Sequence, residues 1–385
     1  MPTPDDIPFR QMLDALLNEE IPFNPRYLYR LSDLSSAELS ELEVAWGQVS
    51  LWRRQALMED LEILGENDYL LSYEAVGRLA LRDEDPQVRT TAIRLLWEYE
   101  DQALARIYLE LLEADSDTKV RAAAAAALGK FVYLGEVEEL PGDLDREIEE
   151  QLLKVAQSQE ETLVRRRALE SLGYSSREEV PPLIQEAYDS GQRDWIASSL
   201  YAMGRSANEG WRELVLSKIN SPFPAVRTEA ARAAGELELS DATPALLELL
   251  DDDNVDVRSA AIWSLSQIGG PGVRTTLEEM QEQTDDEEEA EFIITALDNL
   301  DFTEEMAMFT LFDISGSARQ VPDVELPDKP GIEEAFSMLG EDDLDEEDVY
   351  YPLDEDLDED LYEGLGENLF HSLDDDLEDP EEDPD

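Results

Sequence analysis

At 385 residues, with 95 Asp and Glu against 29 Lys and Arg, the chain carries a formal net charge of -66; this opposes phosphate backbones and anionic membranes, where affinity rests on Lys and Arg. There is no cysteine, which excludes disulfides, thiolate metal sites and cysteine nucleophiles. Neither a basic and apolar leader nor a run of roughly 18 apolar residues occurs, so a cytoplasmic protein is expected.

Residues 1–33 are expected to cap the N-terminal end of a repeat array. Pro8 to Glu19 places Phe9, Met12, Leu13, Leu16 and Leu17 along one helical face, and Pro22 and Pro25 interrupt the chain before Tyr27 to Leu31. Residues 34–300 are expected to hold the array itself. Val88-Arg89, Val120-Arg121, Val164-Arg165, Val226-Arg227 and Val257-Arg258 each open an Ala-containing apolar block, and a degenerate copy at Trp195-Ile196 completes anchors at 165, 196, 227 and 258, three steps of 31 residues. A period of this size means stacked helical units, each read as a helix A, a tight turn and a helix B. A weak first copy is read at Trp52-Arg53, and the last, Ala290 to Leu300, has lost its Arg. The longer interval from Arg121 to Arg165 puts an inserted loop at Tyr133 to Asp143.

With the anchor residue as position zero, positions -1, +3, +4 and +7 are apolar, for example Val257, Ala261, Ile262 and Leu265. At 100 degrees per residue they fall within an arc of about 140 degrees, the inward face of helix B. Small residues recur at +3 as Ala92, Ala124, Ala168, Ser199, Ala230 and Ala261, which suits close approach of helix axes. Acids and prolines before the anchors, as in Asp83-Glu-Asp-Pro86 and Asp115-Ser-Asp117, suit the turn and the helix N-terminus. The anchor arginines are read as turn braces to carboxylates or carbonyls of their own or the adjacent unit.

The runs Asp117-Thr-Lys-Val-Arg-Ala-Ala-Ala-Ala-Ala-Ala-Leu-Gly129 and Asp256-Val-Arg-Ser-Ala-Ala-Ile-Trp-Ser-Leu265 resemble HEAT repeats, specifically the HEAT-like type first associated with phycobilisome lyases. The resemblance covers roughly residues 34–300. It implies an all-α fold, a right-handed superhelical solenoid of about eight helix pairs with B helices lining a concave surface. Most members of such a family serve as scaffolds or peptide-binding surfaces. Members similar to deoxyhypusine hydroxylase hold a di-iron centre through paired His-Glu motifs, whereas this chain has a single histidine, His371, with no Glu beside it.

Position +5 lies opposite the packed arc, and its column reads Arg94, Ala126, Glu170, Tyr201, Arg232 and Trp263. Mixed Arg, Tyr and Trp is the chemistry of protein-interface hot spots. Arg94, Trp97, Arg166, Tyr201, Arg232 and Trp263 are therefore the candidate protein-binding residues. The alternative is that they are ordinary half-exposed side chains, with the aromatics filling gaps between repeats.

Residues 301–317, with the apolar run Met306 to Ile314, are expected to cap the C-terminal end. Residues 318–385 read as an acidic, mostly disordered tail in which Val349, Leu353, Leu357, Leu361, Leu365, Leu369, Leu373 and Leu377 recur every four residues. That spacing drifts about 40 degrees per step, so one long helix does not present it to one flat groove. Residues 301–385 hold 33 acids and 2 bases. No nucleophile elbow, phosphate-cradling loop or dinucleotide fingerprint occurs, and no cofactor or metal site is predicted. The expected function is a non-enzymatic interaction scaffold: a monomer that binds a protein partner on its concave B-helix face, with the acidic tail serving solubility or the recruitment of a basic partner. The other readings are a lyase or modifying enzyme of the HEAT-like group, and an acidic-tail chaperone for basic proteins.

Overall fold

The computed structural model describes residues 7–68 and 70–316, with side chains described to residue 303 apart from Glu287. The chain divides into two units, Met1–Thr303 and Glu304–Asp385, and the first holds every side chain discussed below. The acidic tail at 318–385 lies outside the described residues.

Eighteen α-helices and three short 3-10 turns make up the described chain, and no strand occurs among the described residues. After α1 (Phe9–Leu17) and the one-turn α2 (Arg26–Tyr29) come eight helix pairs. They are α3 (Ser36–Trp46) with α4 (Leu51–Asn67), α5 (Glu74–Ala80) with α6 (Pro86–Leu95), α7 (Gln102–Ala114) with α8 (Thr118–Glu136), and α9 (Gly142–Ala156) with α10 (Thr162–Ser171). The row continues with α11 (Val180–Asp189) and α12 (Arg193–Arg205), α13 (Arg212–Leu216) and α14 (Pro224–Glu236), α15 (Thr243–Leu249) and α16 (Val255–Ile268), and α17 (Val273–Gln283) and α18 (Glu287–Gly316).

The period reads directly onto this row. Each anchor sits in the first turn of a B helix, and the turn before it supplies the cap. Asp85 accepts from the Val88 N–H at 3.1 Å, Asp117 from those of Lys119 and Val120 at 2.8 and 3.2 Å, and Asn254 from that of Val257 at 3.1 Å. Where no such side chain stands, as before α14, Pro224 opens the helix instead. The apolar arc is buried at each copy, except for the half-buried Trp195 at -1 of the degenerate one: Val88, Val120, Val164, Val226 and Val257 at -1, and Leu96, Leu128, Leu172, Met203, Ala234 and Leu265 at +7. Each large aliphatic side chain so buried contributes about 1.5–3 kcal/mol before entropy is subtracted.

Consecutive B helices pack along their length from α4 to α16, whereas A helices mainly touch the B helix of a neighbouring or the same unit and scarcely meet one another. A double layer with unequal spacing bends toward its closer-packed side, so the B helices line the inner face of the solenoid. The alanines at +3 are all buried, yet the tightest approach lies elsewhere. A Cβ on Gly173 would stand 2.8 Å from the Ala202 Cα, one on Gly204 3.0 Å from the Ala233 Cα, and one on Gly235 2.8 Å from the Ser264 Cβ. Each glycine occupies +8 and faces a small residue at +6 of the next B helix. Ser264 and, facing Gly129 in the same way, the +6 residue Ser171 donate their hydroxyls to the carbonyls of Ala231 and Ala125 on the preceding helix, both at 2.8 Å.

Two expectations need correction. In the first repeat the brace is Arg54 and not Arg53, because Arg53 is drawn to the N-terminal segment, donating to the carbonyls of Ala15 and Ile21 at 2.9 Å. The longer interval after Arg121 is mostly helix: α8 runs through Glu136 and buries Phe131, Val132 and Leu134, so only Val137 to Pro141 remain as a loop. Phe9, Met12, Leu13 and Leu16 of α1 are buried as read, while Leu17 is exposed.

Candidate functional site

The anchor arginines hold the edge of the array, where A and B helices meet. The Arg89 guanidinium pairs with both oxygens of Asp115 at 2.8 Å and donates to the Asp83 carbonyl at 2.8 Å. Arg121 donates to the Asp115 carbonyl and pairs with Glu160, both at 2.9 Å. Arg227 grips both oxygens of Asp252 at 2.8 Å and the Ser221 carbonyl at 2.9 Å, and Arg258 takes the Asp252 carbonyl at 3.0 Å and Glu289 at 3.2 Å. Arg54 adds an ion pair to Asp83 at 3.0 Å. Asp83, Asp115 and Asp252 thus each join two repeats, the carboxylate serving the preceding arginine and the carbonyl serving the following one. Bidentate, charge-assisted bonds of this kind are strong and directional, which makes the row a structural clamp.

Across the B helices, side chains at +2, +5 and +9 come together on α10, α12 and α14. The buried Glu170 accepts from Arg167 and from Ser198, both at 2.6 Å, and Ser198 in turn accepts from Arg166 at 2.9 Å. Arg205 lies 5.1 Å from the Tyr201 ring centre and 5.3 Å from that of Tyr174, and its Nε is 3.4 Å from Glu236. Arg232 donates to Glu229 at 3.1 Å. Glu229 Oε2 is buried with no hydrogen-bond partner among the described residues. Burial pushes the Glu229 carboxyl up, Arg232 pulls against that rise, and the nearby Glu170 charge adds to it. Glu236 is raised by burial against the pull of Arg205, and burial likewise raises the Tyr174 phenol to about 12.

The six sequence candidates fall into three situations. Tyr201 and Arg232 belong to this network, Tyr201 half-buried and Arg232 with 43% of its side chain exposed. Arg166 belongs to it as well but is buried, with 7% exposure, so it positions Ser198 and does not extend the surface as expected. Arg94, Trp97 and Trp263 stand apart from it: Arg94 is clamped by Glu62 at 2.5 and 2.9 Å, Trp97 is 45% exposed beneath the Lys130 ammonium, and Trp263 packs at 6.3 Å from Phe292. The sequence reading did not single out Glu229, Arg205, Glu236 or Tyr174. Their signal was present, because +2 and +9 lie three and four residues from +5, the spacing at which side chains share a helix face.

Among the described residues no group of three or more His, Asp or Glu side chains is placed to hold a metal ion, and no helix is long and apolar enough to cross a membrane.

Arginine-clamped helix pairs stacked in one row define an α-helical solenoid. The family model for HEAT repeats matches residues 74–142 and 213–297. No curated protein sequence is significantly similar to the chain. Among solved structures it is similar to Escherichia coli YibA, with 19% identity, a TM-score of 0.36, and 64% of this chain and 96% of that one covered. It is also similar to the complex of CpcE and CpcF of phycocyanin lyase from Nostoc sp., with 19% identity, a TM-score of 0.41, and 59% and 94% covered. A third similar structure is human deoxyhypusine hydroxylase in complex with glycerol, with 18% identity, a TM-score of 0.31, and 69% and 96% covered.

Proposed function

We propose that the protein is a non-enzymatic interaction scaffold whose partner lies along the B-helix face from α10 to α16. The observation that carries this reading is the concentration of Tyr174, Tyr201, Arg205, Arg232 and Trp263 on one face of a row otherwise lined by alanine and glycine. Tyr174, Tyr201 and Arg205 are held against one another, Arg232 by Glu229 and Trp263 against Phe292, so a partner need not order them, and preorganised aromatic and Arg groups give the most affinity for the least entropy. The arginines are internally compensated by Glu170, Glu229 and Glu236, which makes the face alternate in charge and not a basic patch. The sequence as a whole carries a net charge of -66, and charge of that sign attracts a basic protein segment and speeds its encounter.

The double variant Arg232→Glu with Trp263→Ala tests the assignment. Arg232 is exposed and Trp263 half-buried, so the helical signal should survive while capture of the partner is lost. Capture that persists in a folded double variant would remove the B-helix face from consideration.

A further inference from the structure

At α10 the arginine clamp lapses and leaves an arginine without its acid. Arg54, Arg89 and Arg227 each pair with the Asp that stands six residues before the next anchor, namely Asp83, Asp115 and Asp252. Arg121 and Arg258 find Glu160 and Glu289 in the corresponding turns. For Arg165 the corresponding position is Ser190. Among the described residues Arg165 forms no ion pair; its Nε donates to the Ala156 carbonyl at 3.2 Å, and its guanidinium lies 5.1 Å from the Trp195 ring centre.

Stacking on an indole occupies the flat face of a guanidinium and leaves its in-plane N–H groups directed outward. Neither Nη of Arg165 has a hydrogen-bond acceptor among the described residues, and the side chain is only half-buried, so both stay within reach of solvent. They border a groove of about 410 Å³ between the α9–α10 and α11–α12 turns, lined also by Gln157, Gln159, Ser190 and Gln192, with the exposed Glu186 on its wall. The groove therefore combines a cation whose partner position is unfilled, an aromatic ring against which that cation rests, and amide and hydroxyl groups able to donate further bonds.

We infer that this groove is a carboxylate-binding site, in which Arg165 takes from a ligand the planar, two-oxygen contact that Asp115 and Asp252 give its counterparts. The ligand is a carboxylate carried either by an acidic residue of a peptide segment or by a small organic acid. The site is at the turn edge of the array, separate from the B-helix face proposed above, and does not depend on that reading.

The test uses the full chain and the Trp195 indole N–H resonance, assigned by Trp195→Phe, as reporter. Sodium acetate and an end-blocked Gly-Glu-Gly peptide are titrated against sodium chloride at equal ionic strength. The account expects a saturable shift with both carboxylates and none with chloride. Arg165→Gln should weaken binding by about tenfold or more, and Ser190→Asp should abolish it by supplying the missing acid from within. Glu186→Gln should strengthen it by removing a like charge. Tighter binding of the peptide points to an acidic segment as the source, and equal binding to a free acid; both support the site. A shift that matches chloride, or one that survives both Arg165→Gln and Ser190→Asp, would overturn it.

Discussion

The N-terminal repeats and the middle of the array are built from the same sentence and held by different means. From α4 to α8 the clamp is continuous, Arg54 to Asp83 to Arg89 to Asp115 to Arg121, while the inner face carries Leu95 and Trp97 at +6 and +8, too bulky for close approach. From α10 to α14 the clamp lapses at Ser190 and Ile196, and the glycine seam takes over, with the charge network of Glu170, Arg205, Glu229 and Glu236 on its surface. A repeat can therefore be secured at its turn or along its inner helix. The region released from the turn clamp is the one that concentrates polar side chains on its B-helix face.

The largest expected effect comes from wedging the seam. Gly173→Leu forces a side chain against the Ala202 backbone and should cost about 3 kcal/mol or more, at or beyond the top of the range for overpacking. Gly47→Ala, where a Cβ meets nothing within 4 Å, should be neutral or slightly stabilising. Thermal unfolding of the two variants compares them directly; a Gly173→Leu variant as stable as Gly47→Ala would show that the seam does not resist a side chain there.

Next comes the clamp. Asp252→Ala removes both hydrogen bonds from the Arg227 side chain and should cost about 2 kcal/mol at neutral pH. Hydrogen bonds from Arg227 hold the Asp252 carboxyl below its ordinary value, against the opposing effect of burial. Its contribution is thus complete above the ordinary Asp range and is lost as pH falls through the lowered value. The gap between wild type and Asp252→Ala should narrow in acid, and a gap that stays constant with pH would show that the pair contributes through packing alone.

The smallest effect has the opposite sign. Burial makes the folded protein hold the Glu229 proton more tightly than the unfolded chain does. Stability from this group is therefore present below the ordinary Glu range and is lost as pH rises through the raised value. Glu229→Gln should accordingly stabilise the protein at alkaline pH, by about 1 kcal/mol, and have no effect in acid. A destabilised variant at alkaline pH would mean that the charge of Glu229 is needed by Arg232 and Arg205.

Much of the array was legible in the chain. The Val at -1 and the Leu, Met or Ala at +7 mark buried positions because a 3.6-residue period leaves them no other side to face. The turn brace was legible too, since Arg beside turn acids has few other uses. What the single-helix reading could not weigh was the next helix along. Gly at +8 matters through the residue at +6 of its neighbour, and Arg166 is buried because Ser198 of α12 covers it. The first brace was misplaced by one residue for the same reason: Arg53 is engaged by carbonyls 32 and 38 positions earlier in the chain. Trp263 meets Phe292 on the last B helix, whose register has no Arg to mark it.

The central claim is that the partner lies on the B-helix face. A photo-crosslinking amino acid placed at Arg232 on α14, compared with one at the exposed Glu110 on the outer helix α7, measures this in native lysate. The account predicts one adduct of defined mass at position 232 and none at position 110. An adduct at 110 with none at 232 would place the partner on the outer layer and contradict it.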